Sequence, residues 1–167
     1  AGGVIAYNHP EDSLEKRLNT CGKPMPGLSA KIIDPETLDE KKCGEKGEII
    51  LKGYSVFDGY YKAPEKNEES FIDGWFRTGD LGLIDSEGNI EFHGRIKDML
   101  KVGGENVAAI EIESLLSTHP AVNIAQVIGV HDERLFEVAC AYIEPMDGAS
   151  ISENEIIDFC KGKIASF

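Results

Sequence analysis

Residues 74–107, GWFRTGDLGLIDSEGNIEFHGRIKDMLKVGGENV, constrain the fold of this chain more than any other stretch. A Thr78-Gly79-Asp80 turn is followed by apolar residues at Leu81, Leu83, Ile90 and Phe92, placed on either side of the turn sequence DSEGN. That spacing predicts a β-hairpin with alternating buried positions. Gly94-Arg95 comes next, then a charged run that ends in Gly103-Gly104-Glu105-Asn106. The pattern before this stretch is mostly strands and the pattern after it mixes strands with helices, so residues 74–107 read as the seam between two domains.

Taken in order, residues 1–20 carry a weak pattern with Pro10 and many polar residues, and read as a surface connection. Residues 28–33 alternate as a strand does, and Asp34-Pro35 ends it. Residues 48–51 form a second strand closed by Gly53. YSVFDGYY at 54–61 is dense in aromatics and fits either core packing under a loop or a wall of a ligand site. Pro64 followed by EKNEES predicts a short helix, because proline is tolerated at the first helical position and acidic groups favour the first turn. Phe71 and Trp75 would pack it down.

Beyond Gly94, residues 96–102 and Val107 predict a second hairpin around Gly103-Gly104. Residues 109–118 place Ile112, Leu115 and Leu116 on one helical face, with Pro120 as the stop. Residues 122–130 and 138–143 read as strands. Ser152 and Glu155 form a capping box that opens a last helix with Ile156, Cys160 and Ile164 at four-residue spacing. Gly162-Lys163 falls inside that helix, where the lysine would be solvated. The fold class is mixed α+β.

The 167 residues suffice for one ordinary domain or two small ones, and 41% hydrophobic content supports a core. A formal net charge of -13, with no lysine or arginine block to offset it, argues against nucleic acid as a partner. No apolar run approaches the roughly 20 residues that cross a bilayer, and no signal sequence opens the chain. A soluble, cytoplasmic protein is the expectation. Cys21, Cys43, Cys140 and Cys160 are scattered and predicted to be free thiols. The four histidines are equally dispersed, so no metal site is expected from this chain alone. The chain opens on Ala1 without methionine and stops at Phe167 within an amphipathic segment, as a piece of a longer protein would.

Chemistry points first to Asp80. A carboxylate held just after a glycine turn either caps that turn or accepts the paired 2′ and 3′ hydroxyls of a ribose. Arg95, Lys97 and Lys101 bring three cations into an acidic chain, which by themselves read as an exposed strand with ordinary ion pairs. Paired glycines at 103 and 104 need a reason, since they weaken a strand: a tight turn, the close passage of a ligand, or both. No strand-GxGxxG-helix unit, nucleophile elbow or Cys-His pairing is present, which argues against dinucleotide binding and covalent catalysis.

Over nearly its whole length the chain resembles the adenylate-forming acyl-CoA synthetases, a family that includes luciferases and peptide-synthetase adenylation domains. The motifs that carry this are GWFRTGD and residues 94–107. The resemblance implies that residues 1–94 are the β-rich end of a large adenylating domain, 95–97 a hinge, and 98–167 a small mobile domain cut before its distal catalytic lysine. It implies that Asp80 and Arg95 reach the ribose of ATP, Lys97 is the hinge residue, and Lys101 approaches the adenylate in the thioester step. It implies that Gly103, Gly104, Glu105 and Asn106 line the channel for coenzyme A. Mg²⁺ would be held by residues outside the chain. The implied reaction joins a carboxylic acid to coenzyme A at the expense of ATP, with a fatty acid as the closest likeness. An aryl or phenolic acid ligase, a peptide-synthetase domain and a non-catalytic nucleotide- or partner-binding module stay open, as does the oligomeric state.

Overall fold

The computed structural model describes residues 3–164. Its chain divides into two compact units, Ala1–Ile96 and Lys97–Phe167. In order, the elements of the first are β1 (Ala6–Tyr7), α1 (Leu14–Asn19), β2 (Lys23–Pro24), β3 (Leu28–Ile33), β4 (Gly47–Gly53), α2 (Pro64–Ser70), β5 (Phe71–Ile72), β6 (Trp75–Ile84) and β7 (Ile90–Arg95). A 3₁₀ turn, Ile96–Asp98, leads to β8 (Met99–Val102), β9 (Glu105–Ala108), α3 (Ala109–Leu116), β10 (Val122–Asp132), β11 (Phe136–Pro145) and α4 (Glu153–Cys160) of the second. The mixed α+β class expected from the sequence is the one observed.

The first unit is built on an antiparallel sheet in the order β3-β4-β6-β5, with β7 also paired to β6. Strand β4 lies inside it, and Gly47, Glu48, Ile49, Ile50 and Leu51 are all buried. A short apolar run without alternation is what a strand covered on both faces requires. Ile32, Ile49, Leu51 and Ile90 form the core, with Val56 and Ile84 packed against it. Helix α2 begins at Pro64 as expected. Helix α1 was not expected: Ser13 caps it, its Oγ accepting from the Lys16 N–H at 3.3 Å. Residues 1–20 are thus more than a surface connection.

The hairpin of β6 and β7 forms where the sequence placed it, but its alternation is imperfect. Phe92 is 42% exposed while Ile90 is 3% exposed. Phe92 lies opposite Gly82, which offers no cross-strand side chain to cover it, and a register shift follows at His93.

In the second unit the sheet order is β10-β11-β8-β9. Hairpin β8-β9 turns on Gly103 (φ +59°) and Gly104 (φ +90°), a two-residue loop in which both positions need positive φ. Residues 96–98 belong to the 3₁₀ turn and not to the strand expected there. Helix α3 lays Ile112 and Leu116 against Leu100, Val102, Val107 and Val127. It ends at Leu116, four residues before Pro120. The Ser152–Glu155 capping box is present at the start of α4. That helix stops at Cys160, and Gly162 adopts φ +73°, outside helical geometry. Gly162, Lys163 and Ile164 therefore follow the helix, correcting the expectation that they continue it. Residues 165–167 lie outside the described residues.

Candidate functional site

Charge is costly inside a sheet, and strand β4 carries one: Glu48 is 2% exposed. Both oxygens of its carboxylate are engaged. Oε2 accepts from Arg77 Nε at 2.9 Å and from Arg77 Nη2, and Oε1 accepts from the Gly79 N–H at 3.1 Å. Arg77 Nη2 also donates to the Pro35 carbonyl at 3.1 Å.

These bonds gather at a break in the ladder between β4 and β6. Glu48 faces Leu81 and Ile50 faces Arg77, so Ile49 alone stands opposite Thr78, Gly79 and Asp80. A bulge of this kind arches the longer strand and re-aims its side chains. Gly79 adopts φ +70° at its centre, a conformation that favours glycine. Thr78 ties the arch at both ends: its Oγ1 donates to the Ile49 carbonyl at 2.6 Å and accepts from the Asp80 N–H at 3.0 Å.

On the other side of β6, Asp80 is directly opposite Arg95 of β7. Arg95 Nε lies 3.0 Å from Asp80 Oδ1, and Arg95 Nη2 donates to the Thr78 carbonyl at 3.1 Å. Burial raises the Asp80 pKa above its ordinary value, and the Arg95 charge opposes that rise without cancelling it. Both side chains are partly open to solvent. They border a cleft of about 740 Å³ that Glu48, Thr78, Phe57, Tyr60 and Phe76 also line.

In the aromatic segment 54–61, Tyr54 and Tyr61 are exposed, while Phe57 and Tyr60 take part in packing and border the cleft. Phe57 packs edge-on against Tyr60 and Phe76, each with ring centroids 5.0 Å apart, and against Phe71 at 5.7 Å. Phe57 and Tyr60 also wall the cleft. An apolar wall facing a carboxylate and a guanidinium can hold a flat ring with a polar, hydroxylated appendage.

The other residues singled out in the sequence lie in the second unit. Lys97 is exposed in the 3₁₀ turn, and Lys101 is exposed on β8 opposite Asn106 of β9. The Lys101 N–H donates to Glu137 Oε2 at 2.6 Å. Gly103, Gly104, Glu105 and Asn106 are all exposed at the tip of the β8-β9 hairpin. A Cβ on Gly104 would meet nothing within 4 Å, so turn geometry accounts for that glycine without a crowded neighbour. Among the described residues no cluster of three or more His, Cys, Asp or Glu could hold a metal.

Sequence reasoning passed over Glu48 and Arg77, which set the arch. The signal was available, since a glutamate that opens the apolar strand EIIL must find a partner if the strand is buried. What the sequence did not reveal is that the partner sits 29 residues away.

Residues 1–61 match the family model described as AMP-binding enzyme, and residues 111–167 the model described as AMP-binding enzyme C-terminal domain. The mitochondrial medium-chain acyl-CoA ligase ACSF2 of Rattus norvegicus is 42% identical over 165 residues, 98% of this chain and 27% of ACSF2. ATP-bound MatB from Rhodopseudomonas palustris superposes with a TM-score of 0.86 at 38% identity, over 98% of this chain and 32% of that one. The o-succinylbenzoate CoA synthetase MenE from Bacillus subtilis, in complex with the acyl-adenylate intermediate OSB-AMP, gives 0.88 at 38% identity, over 97% and 32%. The chain spans between 27% and 30% of the length of the first curated relatives it matches. No helix among the described residues is long and apolar enough to cross a membrane.

Proposed function

This chain belongs to the AMP-binding enzyme family, and on that premise we propose that the whole protein joins a carboxylic acid to coenzyme A in two ATP-driven steps. In the first, a carboxylate oxygen attacks the α-phosphorus of ATP and pyrophosphate leaves. In the second, the thiol sulfur attacks the acyl carbon, gives up its proton, and AMP departs. The observation that carries this reading is the Asp80–Arg95 pair, held across two strands at the edge of an aromatic-walled cleft.

The Asp80 carboxylate accepts the ribose hydroxyls, and Arg95 holds it in place while presenting its own cation to the sugar. Arg95 engages Oδ1, so Oδ2 can serve the nucleotide. Lys97 is the hinge residue between domains 1–94 and 98–167, and Lys101 attends the thioester step. Gly103, Gly104, Glu105 and Asn106 face the pantetheine arm of coenzyme A, where bare backbone allows close approach. The described residues hold no cluster of three or more His, Cys, Asp or Glu fit for Mg²⁺, so its ligands are proposed to lie outside this chain.

A medium- or long-chain fatty acid is the proposed acyl substrate, supported by the likeness to ACSF2. An aryl acid is the second reading, supported by the likeness to MenE. Cys21, Cys43, Cys140 and Cys160 are free thiols, which suits the reducing cytoplasm proposed for the protein and would equally suit a mitochondrial matrix. A panel of C6–C16 fatty acids and substituted benzoates, assayed with the full-length protein for ATP-dependent pyrophosphate release, is expected to show highest activity with a fatty acid. Preference for a benzoate would move the substrate to the second reading. No release with any acid would sink the ligase assignment.

The raised Asp80 pKa predicts a pH effect with two opposite signs. The folded apo protein holds the Asp80 proton to higher pH than the unfolded chain, so this residue's contribution to stability falls as pH rises from the ordinary value of 3.8 through the raised one. Ribose binding needs the ionised form, so KM for ATP falls over the same window. An Asp80→Asn variant is expected to flatten both slopes, read by thermal denaturation and by ATP kinetics as a function of pH.

A further inference from the structure

Glu48 lines the cleft, yet its two oxygens already accept from Arg77 and from the Gly79 N–H, leaving it poorly placed to bind a ligand itself. We propose that Glu48 is a positioning residue for the nucleotide, fixing Asp80 through the arch in β6; this rests on the assignment of Asp80 to the ribose.

Where one residue of β4 faces three of β6, the regular ladder cannot satisfy the backbone of the longer strand. Glu48 supplies the missing acceptor at the centre of the arch, at Gly79. Its other oxygen anchors Arg77 at the start of the arch, and Arg77 reaches on to Pro35 in the turn after β3. Thr78 closes the remaining bonds to Ile49 and Asp80. The three arch residues are thus tied at successive positions, and the backbone of Asp80 has one place to be, opposite Arg95. The carboxylate offers a separate oxygen to each partner, Oε2 to Arg77 and Oε1 to Gly79. A glutamine offers one acceptor oxygen and would turn an NH₂ group toward one of the two donors.

The readout is discrimination between ATP and 2′-deoxy-ATP in the full-length protein, because a site built to bind a hydroxyl rejects the analogue without it. Glu48→Gln is expected to lower the ratio of the two kcat/KM values by about fivefold or more, with KM for the carboxylic acid unchanged. Glu48→Asp keeps a charge beside Arg77 but is one methylene too short to serve Gly79 as well, and is expected to lower the ratio too. An unchanged ratio in both folded variants overturns the proposal, as does a uniform loss of kcat with the ratio intact. Failure of both variants to fold also overturns it, assigning Glu48 to sheet stability alone. Asp80→Ala separates the two layers: if that variant keeps the ratio, the ribose assignment itself is wrong, and if it abolishes the ratio while the Glu48 variants keep it, only the positioning role is.

Discussion

Replacing Asp80 with alanine in the full-length protein is expected to cut kcat/KM for ATP about 30-fold or more, equivalent to ~2 kcal/mol, the usual worth of hydrogen bonds to a charged group. The substitution removes the proposed acceptor for the sugar and also leaves Arg95 without the carboxylate 3.0 Å from its Nε. Both losses fall on nucleotide use. KM for the carboxylic acid should change little, since Asp80 is assigned to the sugar of ATP and not to the acyl group. Pyrophosphate exchange measured against ATP concentration is the direct test. Unchanged ATP kinetics would show that Asp80 only caps its own turn.

The second large effect is expected at Lys97. The division between the two compact units falls between Ile96 and Lys97, inside the 3₁₀ turn Ile96–Asp98. Proline at 97 would fix φ near −65°, remove an N–H and disfavour the helical region for Ile96. If the smaller domain turns about this point between the two half-reactions, adenylate formation should persist while thioester formation drops by about 100-fold or more. Single-turnover assays of each half-reaction separate the two, with thermal denaturation as the check on folding. Equal loss of both half-reactions in a folded variant would remove Lys97 from the role of pivot.

What could be read from the sequence depended on whether a signal was local. The β8-β9 turn was legible because two successive positive-φ positions demand glycine. The capping box at Ser152 and Glu155 was legible because both partners lie within one turn of helix. Helix α1 was not, because in six residues its only apolar pair at helical spacing is Leu14 and Leu18, too short a pattern to mark a helix, and neither is buried, at 63% and 74% exposed. The Thr78-Gly79-Asp80 turn could be seen but its shape could not, since the one-against-three pairing with Ile49 depends on register across 29 residues of chain. The end of α4 was missed for the opposite reason: apolar spacing continued to Ile164 while Gly162 had already left the helix.

The crooked path of β6 has a practical corollary for anyone building hybrid enzymes from relatives. A crossover placed between β4 and β6 would import a bent strand and leave behind its splint, the buried carboxylate and the carbonyl of Ile49. Crossovers that keep residues 47–95 as one cassette transplant both together.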